Sequence, residues 1–193
     1  MLNEKLLELL KKKTFNYPLI GFSETQRMQE FIVKIIPDES LSVKELEVLT
    51  LSNYCHNLGL PFYFKYKQNL IDWSLAETKK FLLTNNFNNE TINKVLHCVK
   101  EHSITGSPQT TEAMILQDVF LLDEISNLSL LKTVYHSSIL GENEKQLLSR
   151  LKGKEKFFSQ HDFNTVQAKK LSSNLESFLE QTRKTIQLFE FNS

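Results

Sequence analysis

Apolar residues recur every three or four positions along almost the whole chain, and this spacing is the strongest constraint on its fold. Such a period places apolar side chains on one face of an α-helix. We find no segment that alternates apolar and polar residues as a half-buried strand does. The pattern therefore predicts an all-α protein of about eight or nine helices. The first is predicted over residues 2–13, which carry a leucine-rich face (Leu2, Leu6, Leu7, Leu9 and Leu10).

Capping and helix-breaking residues set the predicted boundaries. Ser23 is interpreted as the N-cap of a helix that Pro37 ends. A further helix is predicted over residues 42–56. Thr110 or Thr111 is predicted to cap the helix that contains the sequence TEAMILQD, because a threonine hydroxyl can accept a bond from a free backbone N–H of the first turn.

The remaining segments complete the predicted architecture. The aromatic stretch PFYFKYKQN, residues 61–69, is predicted to be irregular. Gly153 is predicted to separate a helix over residues 142–152 from the residues that follow it. A long final helix is predicted over residues 164–190, packed on the flank of the protein. Because no internal repeat or flexible linker is found, residues 1–193 are predicted to form a single domain.

Composition narrows the classes of function. The 23 basic and 23 acidic residues give zero net charge, which argues against a nucleic-acid partner held by bulk positive charge. The two cysteines, Cys55 and Cys98, lie in apolar segments without metal-type spacing and predict buried thiols in a reducing compartment. The N-terminal segment lacks signal-peptide features, and no apolar run approaches the ~18 residues needed to span a membrane. We therefore expect a cytoplasmic protein without membrane association.

One dipeptide stands out as a candidate metal-binding element. His56-Asn57 ends an apolar helix, and Asp118 lies much later, at the end of TTEAMILQD. A catalytic divalent metal needs several histidine or carboxylate ligands that converge from different helices and leave a position open for water. An adjacent His-Asp pair supplies two such groups. Asn57 offers only an uncharged amide oxygen, which weakens binding of a transition metal.

Three segments resemble the HD-superfamily metal-dependent phosphohydrolases. They are EVLTLSNYCHNLGLPFY, INKVLHCVKEHSITGSPQTTEAMILQDVFLLDEIS and FFSQHDFNTVQAKKLSSNLESFLEQTRK. The first is similar to the family's apolar helix with its HD pair, and the second to its later helix, loop and metal-binding aspartate. The third is similar to a tail in one branch, whose members stand alone or form the N-terminal part of Pycsar-type antiphage effectors. The resemblance covers roughly residues 15–185 and implies an HD-domain-like helical bundle.

The resemblance implies a metal site that is only partly retained. His56 and Asp118 match family ligands, whereas Asn57 replaces the aspartate of the HD pair. Val119 and Phe120 replace the last two residues of the family's D-A-D triplet. By this correspondence Asn57 and Asp118 are the candidate catalytic residues. It also implies that His56 and Asp118 meet at the floor of one pocket.

Glu24 and His102 complete the implied set of ligands. Glu24 occupies the position of the family's first histidine. The alternative is that Glu24 is an acidic residue of a first helical turn, where the positive end of the helix dipole stabilises its charge. His102 occurs where some HD proteins carry a further histidine. The alternative is that His102 is a residue at a helix C-terminus that the helix dipole stabilises. An oxygen-rich set suits Mg²⁺ or Mn²⁺ better than Zn²⁺. The implied metal ligands are Glu24, His56, His102 and Asp118.

The sequence leaves two functions open, and with them the question of whether the chain is an enzyme. The first is a catalytically degenerate HD-fold protein that acts as a nucleotide- or phosphate-binding, sensing or interaction module, alone or as a homodimer, with no metal. Side chains such as Tyr54 or Phe120 are then expected to fill the former metal cavity. The alternative is an active divalent-metal-dependent phosphohydrolase that acts on a nucleotide or another phosphoester.

Overall fold

A computed structural model describes residues 4–14, 17–67 and 69–191. Within these ranges the chain forms eleven α-helices and two short 3-10 segments without a strand, which confirms the predicted all-α class. Nine of the helices span eleven residues or more, in line with the predicted number. The helices are α1 (Glu4–Thr14), α2 (Phe22–Ile35), α3 (Val43–Cys55), α4 (Leu60–Tyr66), α5 (Leu70–Thr84), α6 (Asn89–Glu101), α7 (Thr111–Glu124), α8 (Ser129–Leu140), α9 (Glu144–Phe158), α10 (Val166–Leu171) and α11 (Leu175–Phe191).

Side-chain caps explain where several helices begin. Ser42 and Glu45 form a reciprocal capping box at the start of α3, with the Ser42 backbone N–H 2.7 Å from Glu45 Oε2. Thr110 caps α7 by accepting a bond from the Ala113 backbone N–H, as predicted. The N-cap prediction for Ser23 is wrong, because α2 begins at Phe22 and the Ser23 hydroxyl donates instead to the Pro18 carbonyl.

Three predicted boundaries differ from the structure. Helix α4 replaces the predicted irregular stretch, because Pro61 lies in the first turn, where its missing N–H costs no helical bond. Helix α9 continues through Gly153, since one interior glycine costs only about 1 kcal/mol. The predicted helix over 164–190 is divided by a 3-10 turn, Ser172–Asn174. There the Ser172 hydroxyl donates to the Lys169 carbonyl over 2.7 Å and competes with the backbone.

Helix α7 forms the centre of the bundle and positions the site. Eleven of its fourteen residues are buried, and it packs against α2, α3 and α6. Its buried residues include Asp118, Asp123 and Glu124. Buried charges require partners, so these three carboxylates constrain the surrounding structure.

Other predictions concern the thiols and the membrane. Cys55 and Cys98 are free and buried, as predicted. None of the described helices has the length and apolar character that a membrane span requires.

Two glycines provide a matched test of how closely the turn after α3 packs against α5. A Cβ at Gly59 would lie 2.4 Å from the Ser74 backbone nitrogen, whereas a Cβ at Gly153 meets no atom within 4 Å. Gly59→Ala should therefore destabilise the protein by about 1–3 kcal/mol through overpacking. Gly153→Ala should stabilise it by about 0.5–1 kcal/mol by improving helix propensity. Urea unfolding of both variants measures the difference, and equal effects would refute the contact between Gly59 and α5.

Candidate functional site

A cavity of about 220 Å³ lies where the C-terminal ends of α3 and α6 approach the start of α2 and the sides of α7, α8 and α9. Glu24, Asn57 and His102, all predicted site residues, line it. Its apolar wall consists of Ile20, Leu60, Leu70, Ile71, Ile104 and Phe120. Phe120 lines this open cavity, and Tyr54 packs against Phe22.

His56 lies behind the cavity wall as the C-cap of α3, and it is only 1% exposed. Its Nδ1 is 2.6 Å from the Asn53 carbonyl oxygen. A carbonyl only accepts, so Nδ1 carries a proton. The other nitrogen, Nε2, has no hydrogen-bond partner and lies 3.7 Å from Glu24 Oε2. Metal-binding histidines are commonly held in this way, by the nitrogen that does not bind the metal.

His102 has the same local geometry at the end of α6. Its Nδ1 is 2.7 Å from the Val99 carbonyl oxygen, and its ring centre is 5.1 Å from that of His56. Phe120 packs edge-on against it, with 5.0 Å between ring centres. Burial, reinforced by the neighbouring His56, lowers the pKa of His102 to about 3. The imidazole is therefore neutral at physiological pH.

Glu24 and Asn57 contact each other directly. The Asn57 side-chain Nδ2 donates to Glu24 Oε2 over 2.7 Å. An aspartate at position 57 would place a second negative charge against Glu24, whereas the amide supplies a donor. Burial acts to raise the pKa of Glu24, but the neighbouring Lys132 ammonium outweighs it and holds this pKa well below its usual range. Glu24 is therefore an ionised carboxylate inside the protein.

The ammonium group of Lys132 is the centre of the site. It lies 2.5 Å from Asp123 Oδ2 and 2.6 Å from Glu124 Oε1, and it also contacts Glu24 Oε1. The Lys132 side chain is 3% exposed. Burial acts to lower its pKa, but the surrounding carboxylates, Glu124 first, raise it above the ordinary lysine value. Lys132 is therefore a permanent buried cation.

Two further cations balance the same carboxylates. Arg27 binds Asp123 in a bidentate manner, with Nε 2.6 Å from Oδ1 and Nη2 3.1 Å from Oδ2. Lys154 contacts Glu124 and donates to the Thr133 hydroxyl over 2.9 Å. Three carboxylates therefore meet three protein cations. We call this set, Glu24, Arg27, Asp123, Glu124, Lys132 and Lys154, the buried charge network.

Asp118 is engaged elsewhere. Its Oδ1 accepts bonds from the backbone N–H and side chain of Asn164, at 2.8 and 2.9 Å, and its Oδ2 accepts the Thr165 N–H at 2.7 Å. Residues two apart on a helix point in nearly opposite directions, so Phe120 faces the cavity while Asp118 faces the loop before α10. The structure therefore does not bring Asp118 to the cavity that Glu24, Asn57 and His102 line.

Sequence reasoning did not identify the buried charge network. The available signals were weak: an Asp-Glu pair in an otherwise apolar helix, and a lysine inside SLLKTVYHSSIL. Either pattern also fits a solvated helix face.

The donor set does not fit a divalent metal. Glu24, Asp123 and Glu124 offer carboxylate oxygens within 4.8 Å of one another, but the Lys132 ammonium contacts all three. A metal at this position would have to expel a cation of the protein itself. Next to it, the Asn57 amide directs a donor at Glu24. His56 and His102 are each fixed through Nδ1 by a backbone carbonyl, as metal-binding histidines commonly are.

The buried neutral His102 predicts a loss of stability in acid. An unfolded histidine takes up a proton below about pH 6.5, but folded His102 does so only near pH 3. The unfolded state binds more protons in this window, so stability falls as pH falls through it. In His102→Gln, the decrease in unfolding free energy from pH 7 to pH 4 should shrink by about 3 kcal/mol. Urea titrations measure this, with His97→Gln on the same helix as control; an unchanged pH dependence would count against a buried neutral His102.

Comparison with known proteins supports the fold. No protein-family model and no curated protein matches the chain. Among solved structures, the crystal structure of Bacillus subtilis YpgQ in complex with ADP is similar, with a TM-score of 0.63 over 95% of this chain and 94% of that chain. YpgQ is an HD-type protein, so the chain has an HD-like fold. At 15% sequence identity, the likeness concerns the fold alone.

Proposed function

We propose that this chain is a catalytically degenerate HD-fold protein whose cavity binds a nucleotide or a related phosphate compound without a metal. The observation that carries the proposal is the position of Lys132, whose ammonium contacts the three carboxylates a divalent ion would need. Asn57 and Phe120 support it. Both line the cavity, and the resemblance to the HD superfamily implies an aspartate at each of these positions in an active member. The Pycsar-type affiliation, a homodimer and a cytoplasmic location stay predictions from sequence.

The cavity has two walls that suit a nucleotide. Lys132, Lys154 and Arg150 line it and provide cations that a phosphate could contact. The two lysines also pair with carboxylates of the buried charge network, and Arg150 pairs with Glu142, so a phosphate would share these cations with the protein's own acids. The apolar wall described above provides a surface for a base or another flat ring. ADP is bound by YpgQ in its crystal structure, and a nucleoside diphosphate is therefore the first ligand to test.

Calorimetric titration with ADP in the presence of EDTA tests the proposal. We expect binding that does not depend on Mg²⁺ or Mn²⁺, because the cations of the site belong to the protein. Arg150→Gln should weaken it about 10- to 100-fold through loss of a charge-assisted hydrogen bond. Arg183→Gln removes a half-exposed arginine of α11 that pairs with Glu155 and does not line the cavity, so it should leave affinity unchanged. Failure of ADP and of a panel of other nucleotides and phosphate compounds to bind would refute the proposal.

A metal-dependent phosphohydrolase is the second candidate. The observation in its favour is the shared orientation of His56 and His102, whose Nδ1 atoms are both fixed by backbone carbonyls. A phosphoester screen with Mn²⁺ distinguishes the candidates. Turnover abolished by His56→Ala would establish the enzyme, whereas ADP binding without hydrolysis in the same preparation would support the degenerate protein.

A further inference from the structure

The acidic residues around Lys132 have the spacing of a cation site. Glu24, Asp123 and Glu124 offer carboxylate oxygens that all lie within 4.8 Å of one another, and no other such group occurs in the ranges the structure describes. Hard divalent cations bind several carboxylate oxygens at this kind of spacing. The Lys132 ammonium now contacts these same carboxylates.

A second, independent observation points to the same position. His56 Nε2 is buried, has no hydrogen-bond partner and lies 3.7 Å from Glu24 Oε2. Its Nδ1 is already bonded to Asn53, so Nε2 is the atom that remains for a ligand. A buried nitrogen without a partner is costly, and an ion next to it relieves that cost.

We propose that Lys132 is an internal substitute for a divalent cation, and that its removal creates a Mn²⁺ site formed by Glu24, Asp123 and Glu124 beside His56. This inference goes beyond the proposed function. It rests only on the part of that proposal which states that the wild-type site holds no metal. Truncating Lys132 removes one positive charge and empties the space between the carboxylates. Arg27 and Lys154 still neutralise two of the three acidic charges, so the network is left with a net charge of −1 that attracts a cation to the emptied space.

Metal loading of Lys132→Ala tests the inference. Wild type, Lys132→Ala and Lys132→Arg are equilibrated with Mn²⁺, freed of unbound metal, and assayed for metal content by mass spectrometry. We expect Lys132→Ala alone to retain about one ion per chain and to gain thermal stability with Mn²⁺ concentration. The double variant Lys132→Ala/Glu24→Gln should bind Mn²⁺ at least tenfold more weakly, because it loses a charged ligand.

Each outcome decides for or against the inference. A folded Lys132→Ala that takes up no Mn²⁺ overturns it, as does a wild type that binds Mn²⁺ as tightly as the variant. If Lys132→Ala does not fold without metal, it is refolded from urea in Mn²⁺ and in EDTA. Recovery only in Mn²⁺ supports the site, and failure in both overturns it. The ADP titration of wild type is a separate measurement, so loss of one proposal leaves the other standing.

Discussion

Lys132→Met is expected to lower the free energy of unfolding by about 3–5 kcal/mol, although methionine nearly matches the lysine in volume. The loss comes from Glu24, Asp123 and Glu124, which stay buried after their shared cation is gone. Removing one partner of a buried ion pair is much more costly than replacing the whole pair, because an uncompensated charge remains. The effect should shrink in acid, where protonation neutralises the carboxylates.

Urea unfolding at pH 7 measures the effect, with Lys152→Met as its control. Lys152 forms an ion pair with Glu190 at 2.6 Å, but both side chains are about half exposed. Exposed pairs contribute about 0–1 kcal/mol, so this variant should stay close to wild type. If Lys132→Met also stays within about 1 kcal/mol of wild type, the three carboxylates do not depend on that ammonium group.

Asp118→Ala is expected to destabilise the protein by about 2–4 kcal/mol and to leave the affinity for ADP unchanged. Asp118 is fully buried, and its carboxylate fixes the backbone of Asn164 and Thr165 at the start of α10. Its removal leaves the buried Thr165 N–H without a partner and takes a negative charge from a helix N-terminus. Both losses should lower the stability of the fold, and neither should change the affinity of the cavity for ADP.

The control for this variant is Asp162→Ala, two residues before Asn164. Asp162 forms an exposed ion pair with Lys169 at 2.7 Å, so its loss should change stability by less than about 1 kcal/mol. If Asp118 were instead a metal ligand or a catalytic group, Asp118→Ala would impair metal or ligand binding with little loss of stability. That result would contradict the structural role that we assign to Asp118.

The fold was predictable because it depends on local periodicity. Helical spacing and caps such as Thr110 are encoded within a few residues, and they gave the all-α class and most boundaries. The errors occurred where tertiary contacts decide. Helix α4 forms from an aromatic segment whose Phe62 stacks on Trp73 of α5, at 5.0 Å between ring centres. Such a partner cannot be read from the segment itself.

The site was only partly predictable, for a related reason. Glu24, Asn57 and His102 were predicted from the resemblance to the HD superfamily, and all three line the cavity. Lys132 and Asp123 escaped detection because a charge in a helix is usually solvated, and only burial reveals that these two are paired. Asp118 matched the expected motif, but its direction depends on the rotation of α7, which the motif does not specify.

The divalent metal content of the wild-type protein tests the central claim most directly. The protein is purified without chelator, equilibrated with Mg²⁺, Mn²⁺ or Zn²⁺, freed of unbound ions and analysed by mass spectrometry. Because the Lys132 ammonium already neutralises Glu24, Asp123 and Glu124, we expect a content far below one ion per chain for every metal. A stoichiometric ion that is lost in His56→Ala or Glu24→Ala would contradict the claim and establish a metal site in this cavity.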